Sequence, residues 1–213
     1  MVIIIAFLTM LIDHIGMIFF PYNEYFRIIG RISFPLFAWG IVRGFKLTKN
    51  KNNYIKRIFI LAVISQIPLF FFIENFYNVC FTLLFGLLSL LIIEEKNLKI
   101  YFKFFFISLL LFISNYFNFD YSIYGILTII LLYFTWDKKI SIIYFFLLTI
   151  LFYNIDFNNL KIVYNIQIYA IFALIILYLT PIRKYDFKLN FYFKYGFYPV
   201  HLSVLYLIHF LIK

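Results

Sequence analysis

Asp13 and His14 stand side by side, followed by Ile15-Gly16, inside an otherwise apolar run over residues 1–20. A carboxylate and an imidazole are costly in hydrocarbon. Such groups face a bundle interior or a wet cavity and commonly mark function. Two guanidiniums follow in Arg27-Ile28-Ile29-Gly30-Arg31, just ahead of Ser33-Phe34-Pro35. Met together at one depth in a membrane, these groups form a candidate catalytic site. His14 is the candidate general base. Arg27 and Arg31 are candidates to stabilise a developing oxyanion or to hold an anionic group. Neighbouring side chains on a helix diverge by about 100°, so Asp13 orients His14 poorly and is better placed to anchor Arg31. The catalytic candidates are therefore His14, Asp13 and Arg31. The substrate-binding candidates are Arg27, Gln66, Asn78, Thr82 and His201.

Each candidate has a plainer counterpart. Asp13 and Arg31 also suit a structural ion pair between helices, and His14 or His201 a hydrogen-bonded packing role. Gln66, Asn78 and Thr82 also suit ties between helices, and His209 an interfacial position. Three separated histidines without HxxxH or HExxH spacing argue against zinc. No Walker A, GxGxxG or GxSxG pattern occurs. The single cysteine, Cys80, excludes an intramolecular disulfide framework and a CxxC site.

The elements that must position these residues are membrane helices. Hydrophobic residues make up 65% of the 213 and charged residues 13%. Mean hydropathy is +0.97. A soluble domain runs nearer half apolar and a quarter charged, so the expected fold class is all-α, a polytopic transmembrane bundle. Apolar runs give about nine helices, at 1–20, 25–43, 58–73, 78–93, 100–115, 121–135, 140–153, 162–180 and 196–212. The sixth and seventh are short against the roughly 20 residues of a full span, and one re-entrant hairpin is an alternative for that pair. No repeat, long linker or soluble segment divides the chain, so a single domain over residues 1–213 is expected. The first run lacks a basic leader and a small-residue cleavage site, which reads as a retained helix.

Alternate loops hold 15 of the 19 basic residues, Arg43, Lys46, Lys49, Lys51, Arg57, Arg183, Lys184 and Lys188 among them. The opposite set holds Arg27, Lys161 and Lys213. By the positive-inside rule the N-terminus is cytoplasmic, in a multi-pass protein of the cytoplasmic (inner) membrane. The net charge of +10 then reflects those loops and not a nucleic-acid partner. At about 1.5 Å rise per residue, Asp13 and His14 lie roughly 10 Å below the outer surface. Arg31, on the returning helix, lies about 9 Å below the same surface. The same count puts Gln66, Asn78 and Thr82 in the outer half and His201 about 9 Å above the inner surface.

The segments Ile12-Asp13-His14-Ile15-Gly16, Phe20-Pro21 and Arg27-Ile28-Ile29-Gly30-Arg31-Ile32-Ser33-Phe34-Pro35-Leu36-Phe37-Ala38 resemble the TraX family. So do Gly44-Phe45-Lys46-Leu47-Thr48-Lys49-Asn50, Tyr54, Arg57, Ser65-Gln66-Ile67-Pro68, Asn78-Val79-Cys80-Phe81-Thr82-Leu83 and Lys194-Tyr195-Gly196-Phe197-Tyr198-Pro199-Val200-His201-Leu202. The likeness is dense over about 9–90 and again at 194–208. The family in turn resembles membrane-embedded acyltransferases. The resemblance implies N-acetylation of a pilin amino terminus with acetyl-CoA as donor and no metal. It puts the family's Asp-His pair on Asp13 and His14, its arginines on Arg27 and Arg31, and its C-terminal histidine on His201. For the coenzyme A phosphates the loop cations Arg43, Lys46, Lys49, Arg57, Arg183 and Lys184 are the candidates. Partners so implied are membrane lipid, acetyl-CoA and a peptide or glycan amine, with a second copy of the chain as an open alternative. Transient acetylation of His14 is an alternative to direct transfer. A small-molecule or ion transporter is the rival class, and it predicts internal repeats that the sequence does not display.

Overall fold

A computed structural model describes residues 1–71, 76–156, 161–185 and 189–212. Residues 72 and 73 of the third expected helix and the loop lysines Lys188 and Lys213 lie outside the described residues. Ten α-helices dominate: α1 Val2–Phe19, α2 Glu24–Gly30, α3 Ser33–Leu47, α4 Lys51–Phe70, α5 Val79–Glu94, α6 Ile100–Tyr116, α7 Ser122–Phe134, α8 Ser141–Thr149, α9 Ile171–Leu179 and α10 Phe191–Ile212. One π turn, Ile150–Asn154, prolongs α8, and a 3-10 turn, Ile166–Ala170, leads into α9. The only sheet among the described residues pairs Ile155–Asp156 with Lys161–Ile162.

The second expected helix is two helices, α2 and α3, broken at Arg31 and Ile32. Pro35 supplies the reason. It has no N–H to give the carbonyl of Arg31, and its ring crowds that carbonyl. Counted as one run, α2–α3 makes nine helical runs among the described residues. Four of them are long and apolar enough to cross a membrane: Val2–Phe19, Glu24–Leu47, Lys51–Phe70 and Phe191–Ile212.

α10 begins at Phe191, five residues earlier than the apolar pattern places it. Lys194 interrupts the hydrophobic run but not the helix, since a lysine stem can lie along apolar surface with its amine in water. Five residues are about 7 Å of rise, so His201 sits correspondingly deeper than the sequence count put it.

α3 is the axis of the bundle. Phe34, Leu36, Ala38, Trp39, Val42 and Phe45 are buried along it, and it packs against α1, α4, α5, α7 and α9. α1 is flanked by α2, α3 and α10, and α10 also lies on α4. α6 is peripheral, with Ser114 its one buried residue. One end of the bundle collects the basic loops: Lys51 pairs with Glu94 and Arg183 with Asp137.

Candidate functional site

The site begins where α1 and α2 touch. A Cβ on Gly16 would lie 2.2 Å from Cβ of Phe26, and one on Gly30 would lie 2.0 Å from Oδ1 of Asp13. Only glycine allows this approach, and it seats the Asp13 carboxylate directly on the α2 backbone. Arg27 Nη1 donates to Asp13 Oδ2 at 2.9 Å and Arg31 Nη2 to Oδ1 at 3.3 Å. Each carboxylate oxygen is thus taken by one guanidinium. Arg31 Nη1 donates on to Gln167 Oε1 at 3.2 Å, and its Nε to the Arg27 carbonyl at 3.2 Å. All three charged side chains are at least two-thirds buried. Charges so placed are tolerated because they are paired.

His14 points elsewhere. Its Nδ1 lies 2.7 Å from Nε2 of His201, with the two rings stacked at a centroid distance of 5.0 Å. The tautomers follow from one carbonyl. His201 Nδ1 is 2.8 Å from the Phe197 carbonyl oxygen, which can only accept, so Nδ1 of His201 carries a proton. In the neutral ring its Nε2 is then an acceptor, and His14 must donate from Nδ1. His14 Nε2 is left with a free lone pair, the form a general base needs. The Tyr198 ring lies beside the pair, with centroids 6.1 Å from His14 and 5.5 Å from His201.

A cavity of about 620 Å³ rises toward the pair from the basic end, within the 300–1,000 Å³ common for ligand sites. Arg43, Arg57 and Arg183 stand among its walls, Trp39 lines it, and Met10 and Tyr198 reach furthest toward the histidines. Met10 is one helical turn before His14. Arg57 Nε is buried without a hydrogen-bond partner, an orphaned donor that suits an anion. Of the six loop cations singled out in the sequence, these three arginines converge on the cavity. Lys46, Lys49 and Lys184 do not line it. Lys46 lies instead over the Tyr133 ring at 4.3 Å. Arg183, besides its pairing with Asp137, sits over Tyr178 at 4.7 Å.

Gln66 and Asn78 fasten the α4–α5 connection. Gln66 Nε2 donates to the Phe76 carbonyl at 2.8 Å, and its Oε1 accepts from Asn78 N and Nδ2 at 2.9 and 2.8 Å. Asn78 also caps α5, accepting from Cys80 N. Thr82 Oγ1 donates to the Asp120 carbonyl. These three residues do not meet Asp13 or His14 directly. Thr82 steadies a residue that does share the field of the arginines, since Asp120 and Tyr121 both act electrostatically on Arg31. Asp120, Tyr121, Gln167 and Tyr198 escape a reading of the sequence. Asp120 lies in a stretch with Asn115 and Asn118 that looks like an ordinary loop, although it is an isolated carboxylate between two apolar runs. Among the described residues no group of three acidic, histidine or cysteine side chains gathers as a metal site.

No solved structure matches the chain. A probable fimbrial assembly protein, FimC of serogroup H1 from Dichelobacter nodosus, is 31% identical over 107 residues, which is 42% of this chain and 43% of that protein. The chain thus covers less than half the length of this curated relative. The family model described as TraX protein matches residues 1–209. With nearly every residue inside that match, the Asp-His pair, both arginines and His201 included, the chain belongs to the TraX family.

Proposed function

We propose that the protein is an integral membrane N-acetyltransferase. It takes acetyl-CoA at the basic end of the bundle, which faces the cytoplasm across the inner membrane. It transfers the acetyl group to an amine presented toward the opposite end. The observation that carries this reading is the placement of the His14–His201 pair one helical turn beyond a cavity walled by Arg43, Arg57 and Arg183. Those guanidiniums suit the phosphates of coenzyme A, being weakly hydrated forks that pair well with phosphate oxygens. From Ile4 on the cavity wall to His14 the rise along α1 is about 15 Å. That span suits an extended pantetheine arm along the apolar wall.

In the transfer itself a C–N bond forms at the thioester carbonyl as the C–S bond breaks. His14 Nε2 takes a proton from the attacking nitrogen, and the hydrogen bond to His201 lets the resulting charge spread over two rings. That proton then goes to the departing thiolate. Arg27 and Arg31, fixed by Asp13 and Gln167, supply positive potential for the carbonyl oxygen as it becomes an oxyanion. Family membership and the fimbrial assembly relative favour a pilin-like or fimbrial subunit amino terminus as acceptor.

The test is thiol release from acetyl-CoA by the purified protein in nanodiscs, with and without primary amines. Amine-dependent release that disappears in His14→Ala supports the proposal. Release that persists in His14→Ala at the wild-type rate, or no release with any amine, rejects it.

A further inference from the structure

The turn between α6 and α7 is held more firmly than a connection needs. Asp120 N donates to the Tyr77 carbonyl at 2.9 Å and Tyr77 N to the Asn118 carbonyl at 3.3 Å. Thr82 Oγ1 closes on the Asp120 carbonyl. The Tyr121 ring stacks on Phe34 of α3 at 4.1 Å. Asn118, Tyr121 and Ser122 have φ values of 51°, 62° and 35°, left-handed values that residues with a Cβ adopt rarely. Strain of this kind persists where the surroundings over-determine it, often at functional sites.

This turn carries the Asp120 carboxylate, half-buried and within electrostatic range of Arg31. The local charges do not balance pairwise. Two carboxylates, Asp13 and Asp120, share the region with Arg27 and Arg31, yet both guanidiniums are spent on Asp13. Among the described residues no cation lies within ion-pair distance of Asp120. Asp120 therefore feels Arg31 and Arg27 without a direct ion pair, a place that a cationic ligand could fill.

We propose that Asp120 receives the ammonium group of the acceptor and takes its first proton. This rests on the acetyltransferase reading above. It assigns the acceptor to the class of protonated primary amines, such as a peptide amino terminus, in preference to alcohols. The proton count gives the step its logic. An ammonium must lose two protons to become an amide nitrogen, and His14 Nε2 has room for one. The first passes from the ammonium nitrogen to an Asp120 oxygen, leaving a neutral amine with its lone pair. The second passes to His14 as the C–N bond forms. His14 returns its proton to the thiolate, and Asp120 releases its own to water.

Burial pushes the Asp120 carboxyl up to about 6, against the pull of Arg31, so at neutral pH it is ionised yet basic enough to accept a proton. Arg31, Arg27 and Asp13 act on it electrostatically, the Tyr121 backbone N–H donates to it, and Tyr198, Tyr153 and Cys80 feel its charge. Tyr198, which borders the histidine pair, also feels the Asp120 charge.

The experiment compares wild type, Asp120→Asn and Asp120→Glu in nanodiscs, using a primary amine that supports thiol release in the wild type. In Asp120→Asn the amine KM rises at least tenfold while the acetyl-CoA KM stays within twofold. The acid limb of kcat/KM for the amine, near pH 6, disappears, and Asp120→Glu restores it. An unchanged amine KM with the limb intact overturns the proposal. So does loss of acetyl-CoA affinity in both variants, which marks Asp120 as a structural residue. Wild-type protein that releases no thiol with any amine defeats the acetyltransferase reading itself, a separate result.

Discussion

Replacing Gly30 with alanine tests the geometry of the α1–α2 contact in isolation. The added Cβ would stand 2.0, 2.3 and 2.4 Å from Oδ1, Cγ and Cβ of Asp13, so something must move. If the carboxylate swings away, two charge-assisted hydrogen bonds to Arg27 and Arg31 are lost, together about 3–6 kcal/mol. If the helices separate instead, the cost is that of overpacking, about 1–3 kcal/mol. The structure takes the cheaper route. Alanine returns up to about 1 kcal/mol through its better helix propensity. The net expectation is a loss of about 1–2 kcal/mol, with activity falling because the arginine cluster is displaced. Gly196 in α10 is the control, since a Cβ there meets nothing within 4 Å. Gly196→Ala is expected to be neutral or to stabilise by up to about 1 kcal/mol. Reversible unfolding in mixed detergent, with thiol release measured on the same samples, reads both quantities. A stable, fully active Gly30→Ala protein would refute the close approach of α1 and α2.

His14→Ala should lower the transfer rate about 10²–10⁴-fold, the usual range for a general base. His201→Ala should cost less, and His201→Gln should recover part of that loss because its amide oxygen can still accept from His14 Nδ1; single-turnover acetylation distinguishes the three. Arg57→Ala should raise the acetyl-CoA KM about tenfold or more, the worth of one charge-assisted hydrogen bond, whereas Lys46→Ala should leave it unchanged; steady-state kinetics at saturating amine decide. Because the folded-state carboxyl of Asp120 titrates near 6 against an ordinary 3.8, the folded protein binds the extra proton between those values and stability falls as pH rises through that window. Asp120→Asn should flatten that slope in denaturation measured from pH 4 to 7.

Helix-rise arithmetic alone brought Asp13 and Arg31 to one depth, and their side chains lie 3.3 Å apart. That worked because both sit a few residues from a tight turn, so counting errors had no room to grow. His201 shows the opposite case. Hydropathy stops at Lys194, the helix does not, and an error of five residues hid the contact with His14. The break at Arg31 was legible in Pro35 but is masked by the unbroken apolar run around it. Gln66 and Asn78 were visible as polar residues in spans. Their partners are backbone groups of a connection, which no composition rule foresees. Asp120 depends on two segments distant in sequence, Tyr77–Thr82 and Arg31, and pairwise spacing carries no trace of it.

The two halves of the site join residues at very different separations along the chain. Asp13 finds Arg27 and Arg31 within 14 and 18 positions, but His14 waits 187 positions for His201. During synthesis at roughly 5–20 residues per second, the carboxylate is neutralised by its arginines almost as soon as the first helical hairpin exists. The hairpin can therefore enter the bilayer with its charges already matched. The imidazole partnership forms roughly 10–40 s later, when α10 brings His201 together with the last cavity walls, Lys194, Tyr195 and Tyr198. Nascent chains thus carry a shielded but unarmed site. On the acetyltransferase reading, a ribosome-stalled or C-terminally shortened protein without His201 would insert into the membrane and transfer no acetyl group.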